Sequence, residues 1–522
     1  MEEHRLIIGA LVIAGVVVVA RALSNRLNLP DAILLVLLGI GTGFLPGMPK
    51  VEISPDVVLF GFLPPLVYNS AFFSAPREAR TVAAPIITLA FGLTALTSVV
   101  VAVTARWCLP GLGWPAALAF GAAIAPTDAV AATSVMQRLG APPNLVTILE
   151  SESLINDGVA LTIFGLAVEA MSHPFTVGHA AVRTVQVVVG GIGFGIVMAW
   201  LARKVRRRVR DPSSQIILSL TLPYLAYLPA ESIGASGVLA TVTVGFILGT
   251  RPDGLLQPAT RLTGQMFWRV LTFLLESALF VLLGLQIRGI LEDAHNWFIG
   301  TVVIAVAAVS VVAIALRVGW EMWISPLLHR LPGKHGSPYS TRRERLVLGL
   351  SGLRGAISLA IALSLPNAVG ADRPVLILLA ALVVVVTLVG QAPLLPVLLR
   401  RFGLVESDRK RLEIMIARKA VTEAALARVD DMADREEIDE DVAQALRQPL
   451  EMRLDRVRAF LDEDRSTDDL PDTRAIQKEL VKVQRDKLYA LYRKGRIGAD
   501  AMRAVSNELS FQAAGLQRPA AH

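Results

Sequence analysis

Long apolar stretches alternate with short polar ones from Leu6 to Arg400, and from Arg401 onward charged residues at helical spacing take over. A helix needs about 20 apolar residues to cross a bilayer core. The apolar runs have that length and predict about thirteen spans. They lie near 6–22, 31–47, 55–76, 82–107, 115–137, 145–171, 180–202, 213–230, 234–250, 266–288, 297–328, 345–368 and 374–399. After them, apolar positions recur at helical spacing on a charged background, as at Ala424, Leu426 and Ala427, at Leu454, Val457 and Leu461, and at Leu480, Val483, Leu488 and Leu491. That spacing predicts several amphipathic helices, with Ser466–Pro471 as a linker. The fold class is an all-α polytopic membrane protein: a transmembrane domain over 1–400 and a helical cytoplasmic tail over 401–522.

Two spans carry interruptions. The fifth contains Ala125-Pro-Thr-Asp-Ala129, where Pro126 removes a helix hydrogen bond. The twelfth contains Gly352-Leu-Arg-Gly355, with a lone arginine between two glycines. Unwound backbone is tolerated at membrane depth only around a cavity or inside protein. Broken helices in corresponding places of two halves mark a binding site. An inverted repeat of spans one to six on eight to thirteen makes these two breaks equivalent, so two crossed broken helices are expected.

Composition strengthens the membrane assignment and charge orients it. The chain is 53% hydrophobic with a mean hydropathy of +0.55, too apolar for a soluble globule. Of 51 basic and 44 acidic residues, 28 and 20 precede Arg401, so the net positive charge sits in the membrane part. That argues against nucleic acid as a partner. Loops after odd spans hold the basic groups, among them Arg21, Arg26, Arg77, Arg80, Arg138 and the run Arg203–Arg210, then Arg251, Arg261, Arg330 and Lys334. Loops after even spans hold Lys50, Arg106, Arg183, Arg288 and Arg373. The positive-inside rule then puts the N-terminus outside and the tail in the cytoplasm. The first helix is retained, since no small-residue cleavage site follows Met1-Glu-Glu-His. The single cysteine, Cys108, excludes an internal disulfide and a cysteine metal site.

The chemistry concentrates in the sixth span, Glu150-Ser-Glu-Ser-Leu-Ile-Asn-Asp157. A carboxylate at membrane depth costs about 2.5–3.5 kcal/mol on insertion scales, so its presence points to function or pairing. Ser153 and Asp157 share one helical face, and Glu152 and Asn156 share the adjacent one. Asp157 is the expected carrier, holding either a proton or a monovalent cation. Ser153 and Thr127 offer neutral oxygens that suit Na⁺, and Asn156 adds no charge. A single titrating carboxylate favours one cation for one proton. The other acids at depth are Asp128, Glu150, Glu152 and Glu276, and the cations are Arg317 and Arg354. Asp128 is expected to cap the half-helix that begins there, and Glu152 to pair with an arginine, Arg317 before Arg354. Arg354 is expected to hold helix-end carbonyls at the crossing. Glu276 is evenly poised between a structural ion pair and a functional role.

These motifs resemble the monovalent cation:proton antiporter-1 family, the sodium/proton exchangers. Glu152-Ser-Leu-Ile-Asn-Asp157 is similar to its Asn-Asp motif, and Ala125-Pro-Thr-Asp-Ala129 to its Thr-Asp crossing helix. Leu63-Pro-Pro-Leu-Val-Tyr-Asn69, Glu276-Ser-Ala-Leu-Phe-Val-Leu-Leu-Gly-Leu285 and Gly352-Leu-Arg-Gly-Ala-Ile-Ser358 match further signatures, all in order. The resemblance implies a homodimer in the cell (inner) membrane, working by elevator-like alternating access. It implies electroneutral Na⁺/H⁺ exchange without a cofactor, Na⁺ and H⁺ being only transported. It assigns Asp157 as the essential carboxylate, with Thr127, Asp128 and Ser153 around the ion, and it supports a Glu152–Arg317 pair. Many members carry an acid where this chain has Asn69, which leaves the choice among Na⁺, Li⁺ and K⁺ open. A transporter of another substrate, a cation channel and an intramembrane enzyme are the competing classes. The acids disfavour an anionic substrate, no filter motif is present, and no Gly-x-Ser-x-Gly or His-Glu-x-x-His stands in a span.

Overall fold

The computed structural model describes residues 2–27, 31–45, 54–73, 88–172, 177–209, 211–250, 258–293, 299–328, 341–405 and 407–462, with parts of 480–505. Lys50, Arg77, Arg80, Arg210, Arg251, Arg330, Lys334 and the Ser466–Pro471 linker lie outside the described residues. Every described element is helical, and the chain is a polytopic membrane protein. Its described residues divide into two compact units, Met1–Gln137 with Pro142–Leu404, and Arg138–Ala141 with Val405–His522.

In the first unit the helices are α1 (Glu2–Leu27), α2 (Asp31–Gly43), α3 (Leu63–Phe72), α4 (Thr94–Cys108), α5 (Trp114–Ile124), α6 (Ala129–Leu139, its last two residues counted with the second unit), α7 (Pro143–Ser172) and α8 (Val177–Arg206). Then come α9 (Pro212–Ser232), α10 (Gly237–Gly249), α11 (Pro258–Asp293), α12 (Ile299–Gly319), α13 (Arg342–Leu350), α14 (Ala356–Leu363), α15 (Arg373–Gln391) and α16 (Leu394–Arg401). Over its described residues each expected span is built of one helix or of consecutive helical pieces. Among the described residues six stretches are long and apolar enough to cross a bilayer unaided, including Pro143–Met171, Thr260–Gly289 and Ile299–Leu327. Both interruptions are present. The fifth span breaks into α5 and α6, and the twelfth into α13 and α14, with irregular backbone between.

Helix starts follow local chemistry. Asp211 and Ser236 cap α9 and α10 by accepting from the amides of Ser214 and Leu239. Thr341 and Glu344 form a reciprocal capping box at α13. Helix–helix contact in a membrane relies on small residues that let backbones approach, and the α2–α11 pair shows it. A Cβ on Gly39 would stand 2.7 Å from the Val281 carbonyl oxygen, and one on Gly284 would stand 2.5 Å from that of Val36. Elsewhere aromatic rings fill the gaps. Tyr68, Leu222, Val244 and Trp268 form one buried cluster, and the Trp268 indole donates to Ser219 Oγ at 2.8 Å, which satisfies its polar edge.

In the second unit α17 (Ser407–Asp434) and α18 (Glu440–Asp462) pack against each other. Arg447 ties them, reaching Asp430 at 2.8 Å and Glu440 at 3.2 Å. These pairs are largely exposed, and such pairs stabilise little.

Candidate functional site

The two interrupted spans cross, and their unwound backbones satisfy each other. The Asp128 amide donates to the Leu353 carbonyl at 2.6 Å. Arg354, 1% exposed, donates from Nε to the Ile124 carbonyl at 3.1 Å and from Nη1 to the Gly352 carbonyl at 2.5 Å. Ile124 ends α5, so this cation sits on helix-terminal carbonyls, where the helix dipole favours it. Ser358 Oγ adds a bond to the Pro126 carbonyl at 3.1 Å. The Asp128 carboxylate lies against Gly355, the residue that begins α14, and any Cβ at 355 would collide with it. Asp128 therefore stands at the head of two half-helices, its own α6 and α14 across the crossing.

Helix α7 brings its two polar stripes to this crossing with different partners. Glu152 and Arg317 of α12, each 2% exposed, form a bidentate pair at 2.5 and 2.6 Å. Two parallel charge-assisted bonds are the strongest form of such a contact. Arg317 also donates to the Leu348 carbonyl at 3.2 Å and to Thr127 Oγ1 at 3.3 Å. Asn156 Nδ2 donates to the same Thr127 oxygen at 2.9 Å, while the Thr127 hydroxyl lies 3.4 Å from Glu152 Oε1 as a donor. The Thr127 hydroxyl, expected as a direct cation ligand, is thus saturated by protein partners. Asn156 Oδ1 is buried without a hydrogen-bond partner, a state that costs about 1–3 kcal/mol.

The other stripe faces a cavity of about 90 Å³. Ser153 and Asp157 of α7 line it, with Pro126, Thr127 and Asp128 from the first break and Gly355 to Ser358 from the second. Leu66, Asn69 and Ser70 of α3 and Thr272 and Glu276 of α11 close the remaining walls. Ser153 Oγ donates to the Thr127 carbonyl at 2.8 Å and accepts from the Ala129 amide at 3.4 Å, which leaves one lone pair for a ligand. Asp157 is 4% exposed and, among the described residues, makes no hydrogen bond or ion pair. The same holds for Glu276. Its expected alternative as a structural ion pair is not realised, because Arg317 and Arg354 are taken up by Glu152 and by backbone carbonyls on the far side of the crossing.

The structure thus gathers Asp157, Ser153, Thr127, Asp128 and Glu276 around one cavity and sets Asn156, Glu152, Arg317 and Arg354 behind it. Ser70, Thr272 and Ser358 also line it, and sequence reasoning passed over them. Only Thr272 left a signal, standing one helical turn before Glu276. The inventory of buried charge also grows by two, Glu321 at 0% and Arg206 at 5% exposure. Arg206 was expected in a loop, but α8 continues past the apolar run to include it, and the guanidinium lies over the Phe72 ring at 5.7 Å.

Known proteins resemble this chain along most of its length. The family described as sodium/hydrogen exchanger, transmembrane, matches residues 12–401. An uncharacterised Na⁺/H⁺ exchanger of Mycobacterium tuberculosis is 31% identical over 536 residues, covering 99% of this chain and 98% of its own. The low-affinity Na⁺/H⁺ antiporter NhaS1 of Synechocystis is 32% identical over 427 residues, covering 79% of this chain and 76% of its own. The solved sodium proton antiporter MjNhaP1 of Methanocaldococcus jannaschii superposes with a TM-score of 0.60 at 20% identity, over 76% of this chain and 98% of that one. The last match speaks for the fold. From the family match over most of its length, the chain belongs to the sodium/hydrogen exchanger family of membrane transporters.

Proposed function

We propose that the protein exchanges Na⁺ for H⁺ across the cell membrane, one for one, with both ions competing for Asp157. One observation carries this: Asp157 is a buried carboxylate that has no hydrogen-bond or ion-pair partner among the described residues and faces a cavity at the crossing of two broken helices. A buried charge without a partner is strongly disfavoured, so such a group holds a proton or a cation and exchanges one for the other. Ser153 adds a neutral oxygen to the cation's shell, and hard monovalent cations take oxygen ligands. Thr127 contributes by position, since its hydroxyl is saturated by Glu152, Asn156 and Arg317. Asn156 adds no charge beside Asp157, which keeps the carrier to one titrating group and the exchange electroneutral. Asp128 holds the crossing in register. The protein works as a homodimer with its N-terminus outside and its tail in the cytoplasm, an orientation supported by the alternation of basic loops. Li⁺ and K⁺ are the alternative cations, because Asn69 gives α3 no charge of its own.

The test is cation-induced proton movement in proteoliposomes, wild type beside Asp157→Asn, with Na⁺, K⁺ and Li⁺ added separately. The wild type is expected to dissipate a pH gradient on adding Na⁺, equally with the membrane potential clamped or free. Asp157→Asn is expected to be silent. A variant as fast as the wild type removes Asp157 as the carrier, and a rate that follows the potential removes electroneutrality.

A further inference from the structure

We infer that Glu276 contacts the transported cation, supplying from α11 the second carboxylate of the cavity and setting the affinity for the ion. The inference rests on the exchange function proposed above and adds a residue to it.

Three carboxylates reach the cavity, and they differ in what holds them. Asp128 is built into the crossing: its amide bonds to Leu353 and its carboxylate packs on Gly355. Asp157 comes from α7 on one wall. Glu276 comes from α11, a helix that belongs to neither break, and among the described residues it makes no hydrogen bond or ion pair. A lone glutamate in an apolar helix of a membrane protein is kept for a partner or a ligand. The arginines at this depth are engaged elsewhere, Arg317 with Glu152 and Arg354 with the Ile124 and Gly352 carbonyls. What remains for Glu276 is the content of the cavity.

The size of the cavity makes the contact hard to avoid. At about 90 Å³ it has room for a few waters, so an ion within it lies within direct or one-water reach of every lining oxygen. On the walls formed by α3 and α11 the side-chain oxygens belong to Asn69, Ser70, Thr272 and Glu276, and only Glu276 carries charge. The Thr272 hydroxyl donates to the Trp268 carbonyl at 2.8 Å. A cation that binds Asp157 on one side therefore meets one negative group on the other.

The test is Na⁺-driven proton movement by the full chain in proteoliposomes, with Na⁺ varied over three decades. Wild type, Glu276→Gln, the double variant Glu276→Gln/Asn69→Asp and Asp157→Asn are compared, each first shown to be monodisperse. Glu276→Gln keeps shape and loses charge. It is expected to raise the apparent KM for Na⁺ about tenfold, with the maximal rate within about twofold, the signature of lost ion binding. The double variant returns a carboxylate to the same cavity from α3 and is expected to recover most of the loss. A KM unchanged in Glu276→Gln, or a lower maximal rate at constant KM, overturns the inference. If Glu276→Gln does not fold, Glu276→Asp, which withdraws the charge by one methylene, carries the same comparison. If Asp157→Asn is inactive while Glu276→Gln matches the wild type, only the role of Glu276 fails. If Asp157→Asn exchanges normally, the proposed carrier fails first.

Discussion

Replacing Glu152 by Gln should destabilise the transporter unit more than any other single polar substitution at the crossing. The change removes one charge of a pair whose members are each 2% exposed. Arg317 then stays charged and buried without its carboxylate, the Leu348 carbonyl and the Thr127 hydroxyl being among the neutral partners that remain. Breaking a buried pair in this way costs about 3–5 kcal/mol. Unfolding entropy is about 2.1 cal/mol/K per residue, so a unit of about 400 residues loses about 4–6 °C of Tm. The assay is the thermal unfolding of the detergent-purified protein, followed by the loss of its monodisperse peak. Arg317→Gln should show a loss of the same order, and Glu152→Gln/Arg317→Gln should regain part of it, giving a coupling energy well above 1 kcal/mol in the cycle. Exchange should fall with stability in the single variants, because Thr127 loses the groups that hold it. A midpoint within 1 °C of the wild type for Glu152→Gln, or a cycle whose effects simply add, would refute the pair as the clamp of the crossing.

Further outcomes follow from neighbouring geometry. Gly355→Ala should abolish most exchange, because its Cβ would collide with the Asp128 carboxylate at the start of α14; proteoliposome rates beside a Gly390→Ala control, where open space surrounds the residue, check this. At the exposed start of α9, the Ser214 amide donates to Asp211 at 2.8 Å and holds that carboxyl below its usual 3.8. A depressed carboxyl stabilises above its unfolded value and loses that contribution as pH falls through the folded one. Hydrogen exchange at the Ser214 amide, corrected for its intrinsic rate, should therefore quicken in acid below about pH 4, and Asp211→Asn, which caps without titrating, should remove that dependence.

How much of this the sequence determined can be seen residue by residue. Apolar run length alone located the spans, because the bilayer sets a length that each helix must meet by itself. The interruptions at Pro126 and Gly352–Gly355 were legible for the same local reason: proline removes a bond and glycine relaxes the helix wherever they stand. Spacing by four placed Ser153 and Asp157 on one face of α7 and Glu152 and Asn156 on the next. What each face meets was not in the spacing. Glu152 pairs with Arg317, 165 residues away, and the Thr127 hydroxyl that looked like a free ligand is saturated by three groups from two other helices. Glu276 divides evenly between pairing and function in the sequence, since a lone carboxylate reads the same in both cases until its neighbours are known. Ser70 and Ser358 carry no charge and break no pattern, so nothing marked them before the helices met, and Thr272 was marked only by its place one turn before Glu276. Arg206 reads as a loop cation in the sequence because apolar run length does not show how far a helix continues past the apolar run. Local sequence set the elements, their breaks and their faces; the packing of distant helices decided which charges were neutralised, which oxygens stayed open, and where the cavity formed.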